Sequence, residues 1–288
     1  MTLMAIGQAA WAVEPLVDAA WVNAHLDNKD IRILDLQRES DYMQGHISGA
    51  VHTRYSDWRK TDQNGIPGML PPAAYLEGLI GSLGIDNHTH VVLVPPGQHA
   101  GDLAMATRVY WTTKVAGYDA VSILNGGMAD YRKAPSASVD RAEVIPGKKI
   151  FKVFIRRGDT PVAGDVLQAL NSDSLIVDSR SPGEYVGSPS DRTGSMPGAL
   201  NLPYSWLTEK GAGRFPDQSR LKFIFKEMGV PTTGDQIHFC HTGHRASLSW
   251  FVSHELLGNL KAKMYDGSMA EWSNNPDLPM VFKTQAER

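Results

Sequence analysis

The sequence predicts an α/β protein built from two tandem copies of one domain, each a parallel sheet with helices on both faces. An internal repeat and an alternation of strand and helix patterns carry that prediction. Ile31-Arg32-Ile33-Leu34-Asp35-Leu36 matches Ser174-Leu175-Ile176-Val177-Asp178-Ser179, an apolar run followed by an aspartate. Tyr42 then falls opposite Tyr185, and Gly49-Ala50 opposite Gly198-Ala199 once an insertion in the second half is allowed. Near the end of each half, Asn125-Gly126-Gly127-Met128-Ala129-Asp130-Tyr131 lies against Asp266-Gly267-Ser268-Met269-Ala270-Glu271-Trp272. Matched blocks in one order and at nearly constant spacing indicate a duplicated domain, because the repeats of a solenoid are far shorter.

Within each half, short apolar runs alternate with helical patterns, the mark of a helix-covered parallel sheet. Strands are expected at Ile31 to Leu36, Val91 to Val94 and Val121 to Leu124, then at Leu175 to Asp178, Ile237 to Cys240 and Lys263 to Tyr265. Helices are expected at Pro72 to Leu83, Ala104 to Ala116, Val162 to Leu170, Ser219 to Met228 and Ala246 to Leu257, where apolar residues recur at helical spacing. The polar stretch Ala134 to Lys149, broken by Pro135, Pro146 and Gly147, reads as the linker. The domain plan is then a leader at 1–13, a first domain at 14–135, a linker at 136–150 and a second domain at 151–283.

The composition narrows the function. The 288 residues suffice for two ordinary domains, and 42% hydrophobic against 20% charged residues is a globular balance. With 28 basic and 31 acidic side chains, no basic field exists to hold nucleic acid or anionic lipid, so neither is an expected partner. No run reaches the roughly 18 apolar residues of a membrane span. Met1 to Ala12 ends in Ala10-Trp11-Ala12, which has the small-x-small look of a signal-cleavage site but no preceding Lys or Arg. The expected location is periplasmic if that stretch is a signal-peptide remnant, and cytoplasmic otherwise. One cysteine among 288 residues forms no internal disulfide and no cysteine-based metal site, so neither a metal nor another cofactor is expected. Cys240 is therefore a packing residue or a reagent.

The neighbours of Cys240 favour the reagent. Cys240-His241-Thr242-Gly243-His244-Arg245 lies between a strand and a helix, where a parallel sheet binds ligands and where the helix presents unpaired N–H groups. The helix N-terminus, the Arg245 guanidinium and any protonated His241 or His244 all favour a thiolate, which is the nucleophile. Gly243 lets the backbone curl around an anion. His238, inside the strand, reads as a structural histidine.

These residues resemble the two-domain rhodaneses, sulfurtransferases of the thiosulfate and 3-mercaptopyruvate type. The resemblance covers about Pro15 to Phe282. It rests on the duplicated halves, a cysteine only in the second, the Cys240 to Arg245 loop, Gly198-Ala199, and Tyr265-Asp266-Gly267-Ser268 with Trp272. Gly45-His46-Ile47-Ser48-Gly49-Ala50 is similar to the family's Gly-His-Ile-x-Gly-Ala signature, whose second copy, Gly194 to Ala199, lacks the histidine. The resemblance implies two tandem rhodanese-like domains and a persulfide mechanism. Cys240 would take the outer sulfur of a small anionic donor and pass it to cyanide, a thiol or a protein acceptor. His241, Thr242, Gly243, His244 and Arg245 would cradle sulfur and anion, with Asp178 and Arg180 at the rim. The first half, with Val91 to Gly97 in the equivalent region, would wall the cleft, with His99 and Asp102 in reach of it.

One departure bears on the donor. The family's anion-binding arginine stands at the position of Glu184, and a carboxylate there cannot do that job. Arg192 or Arg245 is the expected substitute, unless Glu184 turns away to pair with a neighbour such as Arg180. Two other readings remain: a persulfide carrier or sulfide sensor without turnover, and a phosphatase of related fold. The last needs Cys-x5-Arg where this loop is Cys-x4-Arg.

Overall fold

The computed structural model describes residues 13–188, 193–210 and 212–282. The leader proposed for 1–13, all but its last residue, and Arg192 lie outside these. The first half holds strands β1 (Leu16–Val17), β2 (Ile31–Asp35), β3 (His46–Ile47), β4 (Val51–His52), β5 (His90–Val94), β6 (Val121–Leu124) and β7 (Val139–Asp140). The second holds β8 (Leu175–Asp178), β9 (Leu200–Asn201), β10 (Gln236–Phe239) and β11 (Ala262–Met264). Two all-parallel sheets result, in the orders β1-β6-β5-β2-β4 and β11-β10-β8-β9. Apart from β1, the two orders superimpose strand for strand, as a duplication requires. The central strands are buried because helices cover both faces; all four residues of β6 and of β10 are buried, Ser122, Gln236 and His238 among them.

The repeat extends to single hydrogen bonds. Tyr42 Oη donates to Ala50 O at 2.9 Å, and Tyr185 Oη to Ala199 O at 2.7 Å. At the end of β2, Asp35 accepts from the Gln37 amide and side chain; at the end of β8, Asp178 accepts from the Arg180 amide and guanidinium. Gln37 reaches on to Gly45 O, and Arg180 to Gly194 O.

Helices α1 (Ala19–Ala24), α2 (Glu39–Gln44), α3 (Ala73–Ser82), α4 (Ala100–Val115) and α5 (Gly127–Tyr131) clothe the first sheet. The second carries α6 (Ala163–Ala169), α7 (Pro182–Val186), α8 (Gln218–Glu227), α9 (His244–Phe251) and α10 (Ser268–Trp272). The short helices escape periodicity because each is only five or six residues long in α1, α2, α5, α7 and α10. Helix α9 stops short of Leu257 because the chain widens into a π turn at Val252–Leu256. Helices α4 and α9, which occupy equivalent places in the two halves, pack on each other. Tyr110 meets Phe251 edge-on at 4.8 Å, and the Thr107 and Ser247 hydroxyls bond at 2.9 Å. The two halves thus share one apolar core through the helix that begins at the cysteine loop.

Two sequence expectations differ from the structure. The stretch read as a linker is ordered on the first half: β7 pairs antiparallel with β3, and Phe151 is buried edge-on against Tyr118 at 5.3 Å. The Arg156 amide still bonds Val115 O, and Val153 and Ile155 pack partly buried against the same core as Phe151, while Ile145, Ile150 and Phe154 stay exposed. His99 and Asp102 cap α4, which begins earlier than Ala104; the Asp102 carboxylate accepts from the Gln98 and His99 amides at 2.8 and 3.3 Å.

Candidate active site

Cys240 follows β10 directly, beside the end of β8, where strand order reverses and parallel sheets place their ligands. Its side chain is buried, 1% exposed. Gly243, at φ 71°, turns the chain into α9. The corner between β11 and α10 holds this loop from below. The Met269 and Ala270 amides donate to Cys240 O and His241 O at 3.1 and 2.8 Å. In the first half, Met128 and Ala129 do the same for Pro95 and Pro96, which puts Pro95 where the second half has its cysteine.

Ser268 does more. Its hydroxyl accepts from the Cys240 and Gly243 amides at 3.1 and 3.2 Å and donates to Tyr265 O at 2.9 Å, which fills its bonding capacity. Ser268 has φ 48°, alone among the described non-glycine residues in being positive, whereas its counterpart Gly127 has φ 56°. The serine adopts a conformation that favours glycine, and its oxygen makes the three bonds that a glycine there could not. The amides of His241 and Thr242 keep no acceptor among the described residues, and the first-turn amides of a helix have none within it. Together they leave a group of open N–H donors on the loop that carries the thiol, an arrangement chemically suited to an anion.

The charged side chains sort themselves differently from the sequence expectation. Glu184 pairs with Arg245, at 2.7 and 2.8 Å, and not with Arg180. Arg245 holds the Glu184 carboxyl down to about 2, with help from Ser181. Arg180 does not reach the rim as a free cation: it is 4% exposed and clamped on Asp178 at 2.5 Å, the duty Gln37 performs in the first half. His241 is exposed at the loop surface, yet partial desolvation of its ring by the surrounding loop, followed by repulsion from Arg245 and Arg180, lowers its pKa. His244 is pushed down to about 3 by burial and then by Arg59, Arg108 and Arg245, so it is neutral near pH 7 and supplies no charge to the thiol. That corrects the expectation that a protonated His244 helps activate Cys240; three nearby guanidiniums and burial forbid it.

The first half enters the site. Tyr55 Oη lies 2.6 Å from His244 Nδ1 in a hydrogen bond whose direction follows the imidazole tautomer, and burial raises the Tyr55 pKa to about 12, so the phenol keeps its proton. Arg59 Nη2 donates to Thr242 O at 2.5 Å. Arg108, wholly buried, pairs with Asp266 at 2.5 Å and lies against Gly243. The other Asp266 oxygen accepts from the Leu70 amide at 2.6 Å. Tyr55, Arg59 and Arg108 had no signal in the sequence, since only packing of the halves brings them to the loop. Ser268 did have one, as the last residue of the Tyr265 to Ser268 motif in the glycine register of the repeat.

The Rhodanese-like domain family matches twice, over residues 18–134 and 162–275. A Mycobacterium tuberculosis protein provisionally named as a thiosulfate sulfurtransferase is 29% identical, with 92% of this chain and 96% of that one covered. The sulfur carrier protein TtuD of Thermus thermophilus is also 29% identical, over 93% of this chain and 96% of its own. The structure of the 3-mercaptopyruvate sulfurtransferase SseA from Escherichia coli is similar with a TM-score of 0.76 at 25% identity, covering 89% of this chain and 99% of that one. The two halves with matching sheets, the strand-to-helix cysteine loop and these relatives lead to one conclusion: the chain belongs to the rhodanese family and is a sulfurtransferase of two tandem rhodanese domains.

Proposed function

We propose that Cys240 carries the transferred sulfur as a persulfide, between a small anionic donor such as thiosulfate or 3-mercaptopyruvate and a thiol or cyanide acceptor. The Cys240 thiolate attacks the outer sulfur of thiosulfate; a new S–S bond forms, the old one breaks, and sulfite leaves with the electron pair. With 3-mercaptopyruvate the C–S bond breaks instead, and the pyruvate carbanion takes a proton. The acceptor then attacks the outer sulfur, and Cys240 departs as thiolate. The observation that carries this reading is the set of open amides at His241, Thr242 and the start of α9, which suit the negative charge of a persulfide. The test is the intact mass after incubation with each donor. Wild type gains one sulfur atom, Cys240→Ser gains none and loses transfer to cyanide; a Cys240→Ser protein that still turns over ends the proposal.

The name of TtuD supports a second reading, in which the persulfide passes to a docked protein. Repeated turnover with cyanide or a small thiol favours the enzyme, whereas one stoichiometric loading without turnover favours the carrier.

A further inference from the structure

Four arginines stand near the Cys240 loop, and three are neutralised. Arg108 pairs with Asp266, Arg180 with Asp178 and Arg245 with Glu184. Arg59 differs. Its Nε donates to Gly68 O at 3.2 Å and its Nη2 to Thr242 O at 2.5 Å, both backbone carbonyls, and no carboxylate of the described residues forms an ion pair with it. A carbonyl satisfies a donor but leaves the unit charge in place. The Tyr55 phenol is a further hydrogen-bonding neighbour, and of the five guanidinium N–H groups at least two remain open among the described residues.

The guanidinium is also held still. It lies 5.4 Å from the centre of the Tyr55 ring. Gly68, at φ 78°, makes room for it, since a Cβ there would strike the guanidinium. Gly68 O accepts from Arg108 as well, at 3.0 Å, which ties the two arginines to one turn of the first half. An uncompensated, preoriented guanidinium with an open donor, bonded to the residue two beyond the cysteine, suits a sulfonate or carboxylate oxygen.

We propose that Arg59, reaching across from the first half, binds the anionic end of the sulfur donor, the role that Glu184 cannot perform. The inference rests on the reading of Cys240 as the sulfur acceptor. No bond to the transferred sulfur is made at Arg59, so its contribution is uniform binding, felt in KM and not in kcat.

The test separates binding from turnover by titrating thiosulfate into Cys240→Ser in a calorimeter, since serine accepts no sulfur. Arg59→Gln is added to remove the charge and Arg59→Lys to keep it. The Gln variant should bind thiosulfate about tenfold more weakly, the Lys variant should recover to within about threefold, and the gap should shrink with salt. With Cys240 restored, Arg59→Gln should raise KM and leave kcat nearly unchanged. Unchanged affinity in Arg59→Gln overturns the proposal, as does no measurable binding with Arg59 in place. Equal loss in both variants also overturns it, because that result assigns Arg59 only to holding the Thr242 carbonyl. Turnover by Cys240→Ser would overturn the persulfide reading alone and leave the comparison of Arg59 variants to decide this one.

Discussion

Glu184 and Arg245 meet fork to fork, two parallel hydrogen bonds of 2.7 and 2.8 Å joining the start of α7 to the start of α9. A carboxylate of the protein thus occupies the arginine nearest the cysteine in sequence. The pair is partly solvated, with side chains 40% and 20% exposed, so its contribution to stability is about 1 kcal/mol or less. Its larger consequence is for anions, which find Arg245 taken.

Glu184→Gln should release Arg245 and lower KM for thiosulfate and 3-mercaptopyruvate by about tenfold, equivalent to about 1.4 kcal/mol of binding. Steady-state kinetics with both donors checks this. A raised KM would mean that Glu184 holds Arg245 in a productive position. The small stability gap between wild type and variant should close at low pH. Glu184 falls from the ordinary 4.5 to about 2 on folding, so its contribution is present above pH 4.5 and is lost as pH falls through 2.

Arg180→Gln copies the first half, where Gln37 caps Asp35 in the same geometry. If Arg180 is a corner residue, KM for either donor should move by less than about threefold, while stability at neutral pH drops by about 3 kcal/mol because Asp178 loses its buried cation. Urea unfolding and donor kinetics together decide the matter. A large rise in KM with little loss of stability would return Arg180 to the substrate.

Gly243→Ala places a methyl group against Arg108 Nη1 and asks alanine to adopt φ 71°. Both penalties act on the same turn, so a loss of about 2 kcal/mol or more and at least about a tenfold fall in sulfur transfer are expected. Wild-type melting and activity in this variant would show that the turn tolerates a different path.

His238 is pushed from 6.5 down to about 3 by burial first and then by His254, with its ring nitrogens bonded to Ser249 and Gln236. The fold keeps it neutral, so its contribution is complete above pH 6.5 and is lost as pH falls from there through 3. Wild-type stability should decline between about pH 6 and pH 4.5 with a slope up to about 1.4 kcal/mol per pH unit steeper than that of His238→Gln. Chemical denaturation across that range gives both slopes; identical slopes would refute the buried neutral histidine.

The parallel sheets, their duplication and the position of Cys240 after a strand were legible in the sequence because each is written locally. An apolar run, a period of helical spacing and a glycine at a turn reveal themselves within a dozen residues, and the repeat adds an independent copy. The short strands β3, β4, β7 and β9 were not legible, since two residues carry no period and are made by the neighbour they pair with. The electrostatics of the site was decided only by the tertiary structure. The partner of Arg245 lies 61 positions away, the carbonyl that receives Arg59 is 183 positions away, and the phenol on His244 is 189 away. Whether an arginine is free or neutralised, and whether a histidine carries charge, depends on distance and burial. Residue type and spacing contain neither, and in this chain they are set by the packing of the first half on the loop of the second.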